Sequence, residues 1–227
     1  MVEIYDSHEQ GEIVKKWLRE NGSAMVMGLL IAFGGLFGFK QWTAWEVGQK
    51  QQASSEFLVM SELLSQDQLD AAMSNYQTLK DEYASSPYTT LSALQMARAR
   101  HDAGQLDLAI KLLQDVVDNG TPMALAVIAR ERLARLLLDQ DRTAEALAVL
   151  DGATDTTGFE ARYAEVRGDI YHEDGKLDDA IASYQLALDQ LEAGAGDRST
   201  LELKLESVRG ATAEPLEQEP AGDEGQS

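Results

Sequence analysis

The sequence is constrained first by Ser23 to Phe39, SAMVMGLLIAFGGLFGF, seventeen residues with no charge and no proline. Extended to Trp42 it gives about 20 residues, or roughly 30 Å of helix, the thickness of a bilayer's hydrocarbon core. Trp42 and Trp45 follow where an interfacial aromatic belt belongs, and Lys40 is placed to snorkel. A buried soluble helix can also be apolar all round, but these flanks favour a membrane span over residues 23–42. A cleavable leader fits less well. The preceding region carries five acids (Glu3, Asp6, Glu9, Glu12, Glu20), the apolar run is long, and no A-x-A site follows.

The flanks also suggest an orientation. Lys15, Lys16 and Arg19 precede the span, whereas only Lys40 and Lys50 follow closely. The positive-inside rule then expects residues 1–22 in the cytoplasm and the bulk of the chain outside it. In residues 1–22, Ile13, Val14, Trp17 and Leu18 recur at helical spacing. Asn21-Gly22 reads as a helix stop, with Ser23 capping the next helix. Ala24, Gly28, Ala32 and Gly35 form a stripe of small residues that would admit a second membrane helix. Glycine is common enough in such spans to give the same stripe without a partner.

The formal net charge is −20, and from Glu46 onward 34 Asp and Glu face fifteen Lys and Arg. Such a surface repels nucleic acid, so no nucleic-acid partner is expected. Cysteine is absent, which removes disulfides, thiolate chemistry and cysteine metal sites. Frequent Ala, Leu, Gln and Glu with only four prolines point to helix, and an all-α fold is expected.

From about residue 50 the chain repeats. Ala72, Ala109, Ala146 and Ala180 stand 37, 37 and 34 residues apart, each in the second helix of a candidate hairpin. A period near 34 residues with a helix–turn–helix unit is the tetratricopeptide pattern. The last unit shows it best, with Gly168 and Tyr171 in its first helix, Gly175 at the turn, and Ala180, Tyr184 and Ala187 in its second. Gly168 and Ala180 are small where the two helices cross, Tyr171 and Tyr184 fill the space beside them, and Gly175 permits the turn. Ala97, Gly104 and Leu113 align in the second unit, Ala134, Leu137 and Leu150 in the third, and Leu63, Tyr76 and Leu79 in the first. Asp141 stands at the third unit's turn, where Asp tolerates a left-handed backbone. The expectation is a right-handed helical repeat array over residues 50–209. Its first helix runs on from the anchor, and a helix over Thr200–Val208 covers the open end with Leu201, Leu203, Leu205 and Val208. Residues 210–227 hold Pro, Gly, Glu and Gln with almost nothing to bury, and read as a disordered acidic tail.

No catalytic constellation is present. There is no P-loop, no G-x-G-x-x-G, no H-E-x-x-H and no nucleophile elbow, and no cofactor or metal is implied. His8, His101 and His172 are the only histidines. The latter two occupy equivalent places in two repeats and read as surface residues rather than a metal pair. Asn119-Gly120-Thr121 has the form of a glycosylation sequon and equally reads as a turn between helices. A repeat stack offers a groove along its first helices, and Arg98, His101, Glu131, Arg135, Glu165, Asp169 and His172 are the candidate lining for an extended or helical partner segment.

Glu3-Ile4-Tyr5, EIVKKWLRENG (Glu12 to Gly22), the glycine-rich span ending near Trp42 and RGDIYHEDGKLDDA (Arg167 to Ala180) together resemble the ancillary SecYEG translocon subunit family of tetratricopeptide-like inner-membrane proteins. The resemblance implies a single-pass protein of the bacterial inner membrane, in contact with membrane lipid, with a periplasmic repeat domain and no catalytic residues. It implies association with the SecYEG translocon and with a membrane-bound periplasmic chaperone of the prolyl-isomerase type. Hand-over of emerging, unfolded clients to periplasmic chaperones is implied as well. An alternative that goes with it is envelope-stress regulation through residues 1–22. The tail beyond Gly210 looks like an addition to the family pattern.

Overall fold

In a computed structural model the protein is described over residues 7–191 and 197–213. Nine helices are present in the described residues, and no strand. They are α1 (Ser7–Ser65), α2 (Leu69–Glu82), α3 (Pro87–Asp102), α4 (Leu106–Asn119), α5 (Met123–Leu138), α6 (Thr143–Asp151), α7 (Glu160–Glu173), α8 (Leu177–Gln190) and α9 (Arg198–Ala213). The chain divides into two compact units, Met1–Gln52 and Ala53–Ser227.

The first unit is helical wherever it is described. The helix stop expected at Asn21-Gly22 is absent, and so is the cap at Ser23, because α1 runs through both. Asn21 stays inside the helix and its side-chain Nδ2 donates to the Trp17 carbonyl at 3.1 Å. A helical glycine costs about 1 kcal/mol relative to alanine. A break would instead strand up to four N–H and four C=O groups in an apolar setting, and continuing is cheaper. This helix is the one among the described residues long and apolar enough to cross a membrane.

The second unit is built from four hairpins and a closing helix. The last turns of α1, from Ala53, pair with α2; α3 pairs with α4, α5 with α6 and α7 with α8. All four turns have one geometry. Each is closed by a residue in the left-handed region: Asp67 (φ 58°), Gly104 (φ 71°), Asp141 (φ 59°) and Gly175 (φ 70°). The residue after each donates to a carbonyl five places back: Gln68 to Leu63 at 2.9 Å, Gln105 to Arg100 at 2.8 Å, Arg142 to Leu137 at 3.0 Å and Lys176 to Tyr171 at 2.8 Å. The left-handed residues themselves donate three places back, to Leu64, His101, Leu138 and His172. This is the Schellman arrangement, which satisfies the carbonyls a helix end leaves open. The next helix starts at once and without a side-chain cap. In its first turn the repeat alanine is anchored: Ala72, Ala109, Ala146 and Ala180 each bond back to the residue after the turn and are each fully buried. Turn and crossing point are therefore one device.

The two aspartates carry the left-handed strain that glycine avoids, about 1–2 kcal/mol for an L-residue and less for Asp. Asp141→Gly is expected to raise the melting temperature by a few degrees, whereas Asp139→Gly, at a helical φ of −61°, lowers it. Thermal melts followed by helical circular dichroism check both signs.

The core has two parts. One runs from Met60 through α2–α6 to Tyr163, Val166 and Ile170. The other joins Ala164, Ala180, Tyr184, Ala187 and Leu188 to Leu201, Leu205 and Val208 of α9. Leu201, Leu205 and Val208 of the closing helix are buried, and two features differ from the sequence expectation. Leu203 faces outward at 72% exposure, one step out of the stripe. The helix also extends from Arg198 to Ala213, so Gly210–Ala213 are helical rather than part of a tail. It begins early because Asp197 caps it. The Asp197 carboxylate accepts from the amides of Ser199 (3.1 Å) and Thr200 (3.3 Å) and from both hydroxyls. Those hydroxyl and amide bonds hold its pKa down at about 2. Residues 214–227, the rest of the expected acidic tail, lie outside the described residues.

Candidate functional site

The first helices of the hairpins present equivalent positions six residues before each left-handed turn: Ser61, Arg98, Arg135 and Asp169. Neighbouring hairpins are stitched along this register. Ser61 Oγ bonds Gln95 Oε1 at 2.9 Å, and Arg135 Nη1 lies 3.5 Å from Asp169 Oδ2. The seven candidate groove residues fall on it or beside it, and the structure sorts them into two groups with His172 left over.

Glu131, Arg135, Glu165 and Asp169 form an ionic network joining α5, α7 and α9. Glu131 is only 2% exposed, so it lies beneath the surface rather than lining a groove. Its Oε1 accepts from Arg135 Nε at 2.7 Å, and its Oε2 lies 3.3 Å from Arg162 Nη2 without a hydrogen bond. Arg135 also reaches Glu165 at 3.5 Å. Burial works against the Arg135 charge, yet the hydrogen bond to Glu131 and the fields of Glu131, Glu165 and Asp169 raise its pKa above the usual guanidinium value. From α9, Lys204 Nζ donates to Glu165 Oε1 at 2.7 Å and to both Asp169 oxygens at 2.8 and 2.9 Å. The Tyr184 hydroxyl donates to Asp169 Oδ1 at 2.8 Å. Burial and the Asp169 charge push the Tyr184 pKa up, which keeps that hydroxyl a donor. Lys204 has no place in the repeat register, and no sequence signal paired it with Asp169.

Arg98 and His101 stand apart from this network, beside a cleft of about 330 Å³ between α3, α4 and α5. Its floor is Leu94, Ala97, Leu113 and Leu136. Its rim carries three expected residues, Arg98, His101 and Arg135, the last shared with the network, and adds Arg132 and Asp139. Arg98 keeps a long contact to Asp102 (3.7 Å) with its side chain 83% exposed. His101 Nδ1 lies 3.1 Å from Asp102 Oδ1. His172 is exposed on α7 and belongs to neither group; its carbonyl accepts the Gly175 turn bond, as that of His101 does for Gly104. Asn119 is the last residue of α4 and donates to Asp115 at 3.2 Å, so the sequon sits at a turn between helices.

On α1, Ala24, Gly28, Ala32 and Gly35 share one exposed face, and a β-carbon added at Gly28 or Gly35 would meet no neighbouring group within 4 Å. The Trp42 and Trp45 rings meet at a tilt of 51° with their centres 5.7 Å apart. Among the described residues no group of three or more His, Cys, Asp or Glu is arranged to hold a metal.

The repeated left-handed turns, the buried alanines and the capped end define a tetratricopeptide-like scaffold. The chain belongs to the tetratricopeptide repeat-like domain family, whose pattern matches residues 15–210. It is similar to the ancillary SecYEG translocon subunit of Neisseria gonorrhoeae, with 27% identity over 211 residues, 88% of this chain and 97% of that one. The protein of the same name from Escherichia coli is 25% identical over 185 residues, 81% of this chain and 88% of that one. The family resemblance seen in the sequence is therefore borne out. The crystal structure of BtubC (BKLC) from P. vanneervenii shares the fold, with a TM-score of 0.54 at 15% identity over 82% of this chain and 91% of that one.

Proposed function

We propose that the protein is a non-enzymatic adaptor of the bacterial inner membrane. The α1 span holds its repeat domain on the periplasmic side, beside the exit of the Sec translocon. There it associates with a membrane-bound chaperone of the prolyl-isomerase type and assists hand-over of unfolded, newly exported proteins to periplasmic chaperones. The observation that carries this reading is the union of one apolar span with one repeat scaffold across nearly the full length of relatives named for the SecYEG translocon. The Lys15, Lys16 and Arg19 flank supports the orientation, and the Ala24–Gly35 face is where a neighbouring membrane helix would approach. The test is co-purification after gentle solubilisation of native membranes. SecY, SecE or SecG is expected with the tagged chain, and recovery of neither translocon nor chaperone subunits overturns the proposal.

A second reading is favoured by one observation. Ile13, Val14, Trp17 and Leu18 form an apolar face on α1 with 50–66% exposure, ahead of the span. That face suits a cytoplasmic signalling partner, and regulation of envelope stress would run through it. Deleting residues 1–22 separates the readings: impaired client handling with intact signalling removes the second one.

A further inference from the structure

The cleft between α3 and α5 is a positive exception on an acidic molecule. The chain has 39 acids against 19 Lys and Arg, yet three of the nine residues lining this cleft are arginines and one is an acid. Their charges are not equally available. Arg135 is held by Glu131, Glu165 and Asp169. Arg132 is exposed and makes no ion pair with a carboxylate among the described residues. Arg98 keeps only the 3.7 Å contact to Asp102 across a solvated surface, which neutralises little. Two guanidinium groups therefore flank an apolar floor of leucines, opposed on the rim by Asp139 alone.

We infer that this cleft recognises a short segment of a partner protein that presents an Asp or Glu side chain next to a large aliphatic one. Guanidinium pairs carboxylate in a planar, two-bond geometry, and the leucine floor takes the aliphatic neighbour. The volume lies at the low end of the ~300–1,000 Å³ range of ligand cavities, so it seats a few side chains and not a whole helix face. A nucleic acid is not the expected occupant, since a phosphate backbone needs a continuous basic track and the chain carries 39 acids against 19 Lys and Arg. The molecule's overall negative charge does not prevent the contact. Charges beyond about 8–10 Å are screened at physiological salt, while the two arginines act at contact distance.

The inference rests on the reading of the repeat domain as a partner-holding scaffold, and deepens it by naming the chemistry held. It is tested on the full chain in detergent micelles by fluorescence anisotropy. The probes are the labelled peptide Ser-Gly-Glu-Leu-Glu-Leu-Gly-Ser and its counterpart with both Glu replaced by Gln. The Glu peptide is expected to bind at least tenfold more tightly. That preference is expected to vanish in the double variant Arg98→Gln/Arg132→Gln and to weaken without vanishing in Arg132→Lys, which keeps the charge and loses the two-bond geometry. Both arginines are exposed, so the double variant should melt like the parent; if it does not, Arg132→Gln alone carries the test through the same loss of preference. Equal binding of the two peptides, no binding of either, or a preference that survives the double substitution overturns the inference. A preference seen only after removal of residues 214–227, which carry five acids and no Lys or Arg, also overturns it, because the occupant is then this chain's own tail. Translocon co-purification without peptide discrimination removes this inference and leaves the adaptor reading standing.

Discussion

Arg135→Ala is expected to destabilise the repeat domain by about 2–4 kcal/mol, below the ~3–5 kcal/mol of a sealed ion pair that loses one partner. The reason is Glu131. Its side chain is 2% exposed, and its one hydrogen bond comes from Arg135 at 2.7 Å. Removing the guanidinium leaves a carboxylate under the surface, with Arg162 near its other oxygen but not bonded to it. The discount comes from Arg135 itself, whose side chain is 37% exposed and so already partly solvated. For a domain of this size each kcal/mol is worth about 2–4 °C, which puts the melting temperature roughly 5–15 °C lower. A structural role makes a further demand. Glu131→Met/Arg135→Met should recover most of the loss, since an apolar pair needs no partner for a buried charge. Urea unfolding of the parent, Arg135→Met, Glu131→Met and the double variant measures the coupling. A silent Arg135→Ala, or a double variant as unstable as the sum of its parts, would show that the network holds nothing together.

The network also shows where reading the sequence stops. Its four first-helix members were visible as candidates, because the repeat pattern leaves Glu131, Arg135, Glu165 and Asp169 as first-helix residues not used for packing. Their roles were not visible. Whether a charged first-helix residue meets solvent or a neighbour depends on how far successive hairpins rotate against each other, and no local pattern records that rotation. Lys204 lies on a helix outside the repeat, so no register could pair it with Glu165 and Asp169. Arg132 was missed for the complementary reason: it is one residue off the stripe and becomes notable only when Leu113 of α4 closes the cleft beneath it.

The turns behaved differently. Gly104, Asp141 and Gly175 were legible because few residue types tolerate a positive φ, and the alanines because little else fits where two helix backbones cross. Sterically narrow positions leave a mark in sequence that electrostatically rich ones do not. The error at Asn21-Gly22 has the same root. A glycine marks a helix end only where solvent can take over the open backbone groups, and an adjoining apolar run withholds that solvent.

Gly168 brings the steric argument to a sign that can be measured. A β-carbon added there would stand 2.5 Å from both Cδ1 and Cε1 of Tyr184 and 3.0 Å from Cζ. The ring is 2% exposed, and its hydroxyl is tied to Asp169, which Lys204 holds in turn. The obstacle is therefore a clamped ring and not the loose end of a flexible chain. Helix propensity alone favours Gly168→Ala by about 1 kcal/mol. Overpacking opposes it by about 1–3 kcal/mol, and against a fixed ring the upper part of that range applies. Gly168→Ala is expected to be net destabilising by about 1–2 kcal/mol. Gly168→Val adds two branches and a stiffer side chain, and is expected to cost roughly 3 kcal/mol or more. Tyr184→Leu supplies the control: it gives up the ring and the bond to Asp169, but in that background Gly168→Ala should turn neutral or stabilising because the clash is gone. If Gly168→Ala stabilises the unaltered chain instead, the hairpin has slack at its crossing point, and the glycine there is not required by the close approach of α7 and α8.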